Sequence, residues 1–156
     1  MSLADISTAL VREQSLLEML LFKLEEEHLL LSVGRTRWLA AATREVEAVL
    51  EEIRRTGLHR AALVEGAAPG LGLGRNPSLR ELAANAPTPW DDLLIEHRNA
   101  FLAITDEISA QANANKQLVH RGAAATKELL DRAQRERTGG RPGTVQETSF
   151  LVDQAL

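Results

Sequence analysis

Leucine at positions 3, 10, 17, 24 and 31 sets a seven-residue repeat over the first thirty residues. Ile6 and Leu20 stand in the intervening core positions, and Leu16, Leu21 and Leu30 widen the stripe. A chain with that period buries one face of a helix against other helices. Ser2 and Asp5 have the spacing of a capping box, which predicts a helix start near Leu3. Two of the intervening core positions hold Glu13 and Glu27, poor residues for the tight seam of a two-stranded zipper. Packing within one chain fits them better than a tight homodimer does.

Composition points the same way. Apolar residues make up 44% of the 156 and aromatics only 3%, so the apolar content is mainly Leu, Ala, Val and Ile. No short alternating run of β-branched and aromatic residues proposes a strand. The expected fold is all-α: an elongated antiparallel helical bundle in residues 1–138, with a flexible C-terminal tail in 139–156. One core is expected at this length.

After Gly34 the apolar stripe resumes as Leu39, Ala42, Val46, Val49, Leu50 and Ile53, one residue out of the earlier phase. The slip predicts a turn at Gly34, with Thr36 as cap of a second helix; a glycine tolerated inside one long helix, at about 1 kcal/mol relative to Ala, is the alternative. Arg54, Arg55 and Thr56 followed by Gly57 read as a helix stop. Residues 57–88, rich in Gly, Pro and Ala, read as a flexible connection. Within it Ser78 and Glu81 repeat the capping-box spacing and predict a short helix across the end of the bundle. Thr88, Pro89, Trp90 and Asp91 supply a cap, a first-turn proline and an early acid for a last helix. That helix carries Leu94, Phe101, Ile104, Ile108, Leu118 and Leu129 and should end near Thr138, before Gly139, Gly140 and Pro142. It would be about 70 Å long against about 45 Å for the first segment, so it must overhang its first partner or pair with both earlier helices in series. Asn115 and Gly122 are weak core residues in its final third, which leaves that end poorly sealed.

Chemistry finds few footholds. The chain has no cysteine, so disulfides, thiolate metal sites and cysteine nucleophiles are excluded. His28, His59, His97 and His120 never fall at the i, i+4 spacing that aims two imidazoles at one metal; His28 and His97 read as half-buried on stripe edges. Gly70-Leu71-Gly72-Leu73-Gly74 lacks the Lys-Ser/Thr of a phosphate loop. Glu25-Glu26-Glu27 diverge by about 100° per residue on a helix and read as a solvated face. No catalytic residue, cofactor or metal site is expected. A net charge of −4 argues against nucleic acid. Arg132, Arg135, Arg137 and Arg141 suit a helix C-terminus through its dipole. No secretory signal and no stretch long enough to span a membrane is apparent, so a cytosolic protein is expected.

The leucine-rich first helix with Leu24-Glu25-Glu26-Glu27-His28-Leu29-Leu30, the Gly34 break before Trp38-Leu39, Trp90 with Asp91-Asp92-Leu93-Leu94, and Asn113-Ala114-Asn115-Lys116-Gln117-Leu118 resemble, in that order, the FlgN family of flagellar export chaperones. The Gly- and Pro-rich middle loop and the Ala-rich late helix depart from the commoner pattern. The resemblance implies a bacterial cytosolic protein without a cofactor. Such a protein binds hook-filament junction (hook-associated) proteins, keeps them monomeric and delivers them to the export apparatus. It also implies that the C-terminal part holds the client. Here that means Leu118, Ala125 and Leu129, which approximate the i, i+7 anchors of a helix-in-groove contact, and Phe150, Leu151, Val152 and Leu156 in the tail. The working form is expected to be a monomer or weak homo-oligomer. A chaperone or adaptor for another secretion substrate and a self-associating coiled-coil scaffold are the other readings.

Overall fold

The computed structural model describes residues 2–139. Four α-helices follow one another: α1 (Leu3–Ser32), α2 (Leu39–Ala67), α3 (Leu79–Asn85) and α4 (Trp90–Thr138), with 3-10 turns at Thr36–Trp38 and Ala68–Leu71. Both capping boxes form. The Asp5 amide donates to Ser2 Oγ at 3.2 Å and the Ser2 amide to the Asp5 carboxylate at 2.9 Å; Ser78 and Glu81 repeat the exchange at the start of α3. The chain breaks at Gly34, whose φ of 71° is left-handed. Its amide and that of Arg35 return to the Leu31 and Leu30 carbonyls at 3.3 and 2.9 Å, closing α1. Thr36 does not cap α2; it opens the 3-10 turn, and Trp38 is the residue before α2. Pro89 likewise precedes α4, and the Thr88 hydroxyl donates to the Asp91 carboxylate at 3.1 Å.

α1 and α2 form an antiparallel hairpin, tied across its seam by Arg12–Glu52 at 2.7 Å, Arg60–Glu13 at 2.6 Å and Lys23–Glu45 at 3.1 Å. α4 lies on α1 and runs in the same direction, hence antiparallel to α2. Ser7 meets His97 near the start of both helices at 3.0 Å, and Asn115 reaches the Leu24 carbonyl at 2.8 Å further along. Two apolar clusters fill the bundle. Ile6, Leu10, Leu63, Val64, Leu82 and Leu94 form one, which α3 closes from the end. Leu20, Leu24, Val46, Val49, Ile108 and Ala112 form the other. Each large side chain buried there contributes about 1.5–3 kcal/mol.

The expected stop at Gly57 is wrong. α2 runs through it to Ala67, adding nearly three turns to the hairpin and removing residues 57–67 from the expected loop. The reason lies on α1. Position 57 packs at ordinary contact distance from α1, where a Cβ would stand 3.6 Å from Glu13 Oε1, and that packing carries the helix through the glycine. Beyond it Leu63 and Val64 resume the buried stripe. The acid run needs a second correction, because Glu27 is buried and only its neighbours face solvent. Among the described residues no helix is long and apolar enough to cross a membrane.

Candidate functional site

Asn115 sits where α4 leaves the hairpin. Its side chain is wholly buried and fully engaged. Nδ2 donates to the Leu24 carbonyl at 2.8 Å and to Glu27 Oε1 at 3.3 Å, while Oδ1 lies 3.0 Å from Gln111 Nε2 and 2.9 Å from His28 Nδ1. The Thr43 hydroxyl donates to the other Glu27 oxygen at 3.4 Å. Burial raises the Glu27 pKa, against the opposing pull of the bonds from Asn115 and Thr43. Asn115 is therefore no leak in the core. It ends the apolar seam with a polar layer joining α1, α2 and α4, and it fixes how far α4 slides along α1.

With Asn115 level with Glu27, Ser32 at the end of α1 is level with about residue 120 of α4, and α4 continues past the hairpin to Thr138 for about 27 Å. Every residue from 121 to 130 is exposed. The positions that face the core upstream as Leu94, Phe101, Ile104 and Ile108 recur downstream as Leu118, Gly122, Ala125 and Leu129, the last three with no described helix against them. Of the three anchors expected on α4, Leu118 is half-buried at the foot of this overhang, Ala125 is exposed, and Leu129 is 65% exposed. They share one face. Phe150, Leu151, Val152 and Leu156 lie outside the described residues, as does Arg141.

Leu130, and Leu29, Val33 and Trp38 at the tip of the hairpin, are large exposed apolar residues absent from the expected set. The Arg37 guanidinium lies 4.8 Å from the centre of the Trp38 ring. For Val33 and Trp38 the phase slip at Gly34 was the available signal, since it placed them at a turn. Toward the end of α4, Arg132 pairs with Glu128 at 2.6 Å and Arg135 Nε donates to the Asp131 carbonyl at 3.3 Å. Arg135 and Arg137 occupy the last turn, where the helix dipole favours cations.

A cleft of about 170 Å³ opens on the α1–α2 seam between Ala9, Arg12, Glu52, Arg55, Thr56 and His59. Its groups are tied to one another: Arg12 and Arg55 both reach Glu52, and the Thr56 hydroxyl donates to the Glu52 carbonyl at 2.9 Å. Among the described residues no three His, Asp or Glu side chains are grouped to hold a metal ion. The overhang thus presents Leu118, Ala125 and Leu129 along one face of a helix that extends past the hairpin.

The FlgN protein family model matches residues 1–147. Comparison with curated proteins and with solved structures gave no match. A family match over nearly the whole chain joins the helix order, the polar layer at Asn115 and the bare end of α4. The chain belongs to the FlgN family, the non-enzymatic cytoplasmic chaperones that bind hook-associated proteins of the flagellum for export.

Proposed function

We propose that the overhang of α4 is where this chaperone holds its client, with Leu118, Ala125 and Leu129 as anchors and Leu130 beside them. The observation that carries this reading is the 65% exposure of Leu129 at a position in phase with the buried Leu94 and Ile108. An amphipathic helix of a hook-associated protein laid along the stripe takes the place α1 holds upstream and completes the bundle. The client buries its own assembly surface in doing so and stays monomeric. One chain holds one client and carries it to the export apparatus. The tail adds Phe150, Leu151, Val152 and Leu156, which order on the client after the Gly139, Gly140, Pro142 and Gly143 linker, giving up some affinity to that ordering.

The test is capture of a purified hook-associated protein by variants that keep their helical circular dichroism. Leu129→Asp should weaken capture at least about tenfold, the scale of one anchor lost from an interface. Removing residues 144–156 should reduce affinity with the thermal melt nearly unchanged, and Phe150→Ala should reproduce much of that loss. Capture indifferent to Leu129→Asp and Leu118→Asp, yet abolished by changes on α1, would put the client elsewhere.

A further inference from the structure

The two edges of the stripe on the overhang differ in charge. With about 100° between successive residues, Leu118, Gly122, Ala125 and Leu129 fall within about 60° of one another. One edge continues into Ala133, Thr126, Val119 and Leu130, none of them charged. On the other stand Arg121 and Arg132, about 20–40° beyond Ala125 and both exposed. Of the acids, Glu128 and Asp131 lie further round the helix and Glu136 in its last turn. Residues 118–138 hold five Lys and Arg against three Asp and Glu, a net of +2 in a chain whose total is −4. The overhang is a basic end on an acidic protein.

We infer that the client helix this surface fits is acid-bordered: it carries two carboxylates about eleven residues apart along one edge of its apolar stripe, with a large apolar side chain between them. Spacing sets the interval. Arg121 and Arg132 are eleven residues apart, about 17 Å along the axis, and three turns return the chain to nearly the same edge. A helix lying alongside meets both only with acids at the same interval. Each guanidinium can hold a carboxylate through two parallel N–H donors. Arg132 already reaches Glu128 at 2.6 Å, but both side chains are exposed, and an exposed i, i+4 pair contributes little, so donors of Arg132 stay available to a client.

Shape sets the residue between the acids. A Cβ on Gly122 would meet nothing within 4 Å, and with Ala125 it leaves a hollow in the stripe between Leu118 and Leu129. A leucine, methionine or phenylalanine of the client fills that hollow at the density of a core. The charged edge then supplies the choice that apolar anchors lack. Leu118 and Leu129 alone would accept any amphipathic helix, whereas the arginines attract an acid-bordered one and repel a basic one. This selectivity rests on the overhang being the client surface, and it names the class of helix that surface accepts.

Three synthetic helical peptides test it against the full chain. They share one apolar stripe and bear Glu, Gln or Lys at two edge positions eleven residues apart. The Glu peptide should bind at least about tenfold more tightly than the Lys peptide, with Gln between them, and the gap should close in about 1 M salt. Arg121→Glu combined with Arg132→Glu should reverse the order with helicity unchanged, and should weaken capture of a purified hook-associated protein about tenfold. Gly122→Leu, which favours the helix but fills the hollow, should weaken binding of all three peptides. Equal binding of the three that Leu129→Asp abolishes, or a preference for Glu that survives the double reversal, overturns the acid-bordered client and leaves its placement standing. Binding indifferent to Leu129→Asp, or none by any peptide, overturns both.

Discussion

Asn115 gives four polar partners a shared centre in a place the heptad would give to leucine. Asn115→Ala leaves Glu27, His28 and Gln111 without it, and an orphaned buried polar group costs about 1–3 kcal/mol. The expected result is a melting midpoint lower by several degrees, read by circular dichroism. Glu27 makes a pH-dependent contribution of definite sign. Its pKa is raised from the ordinary 4.5, chiefly by burial. Between the two values the folded chain holds more proton than the unfolded chain, so the stability owed to this group is complete below 4.5 and is lost as pH rises through the raised value. Glu27→Gln, which can still accept from Asn115, should raise the midpoint near neutral pH by a few degrees and flatten the slope across that window. Melts from about pH 4 to about pH 7 check it, and an unchanged slope would contradict the assignment. Gly57→Ala brings a Cβ to an ordinary 3.6 Å contact with Glu13 and should stabilise α2 by up to about 1 kcal/mol. These residue-level features were the least legible in the sequence. Glycine after two arginines looks the same whether it ends a helix or lies inside one held by packing, and one glutamate of three looks solvated until the partner helix is in place. Asn115 was read as a weak core residue because its partners lie about ninety positions away on α1.

Among the helices, both capping boxes, the break at Gly34 and the end of α4 at Thr138 were legible, because each depends on residues within a turn of one another. The far end of α2 was not, because its last three turns are held by Ile6 and Leu10 on α1 rather than by local signals. Helix lengths left overhang and serial pairing open, and the contact of Asn115 with α1 decides for the overhang. α4 beyond position 120 has no other described helix packed against it, and the Arg132–Glu128 pair and the cations of its last turn support its helicity locally. Gly122→Ala should therefore raise local helix stability by about 1 kcal/mol. Amide exchange within 118–138 should slow several-fold while exchange in the core of α1 stays unchanged.

At the scale of the molecule, one end is a sealed three-helix core closed by α3, and the other is a single bare helix rising past a hairpin tip. The sealed end sets the position of the bare one, with the polar layer at Asn115 as the boundary between them. The exposed in-phase positions on α4 were legible because the heptad runs on after the hairpin stops; the exposed Phe22 and Leu29 on α1 were not, since they gain meaning only when the neighbouring helices are known to face elsewhere. The proposed placement of the client rests on that asymmetry. The most direct test is hydrogen exchange of the full chain with and without a purified hook-associated protein. Amides of 118–138 should exchange rapidly in the free chain and become strongly protected in the complex, with α2 and α3 unchanged. Protection that appears along α1 while 118–138 stays as exchangeable as before would contradict the placement of the client on the overhang.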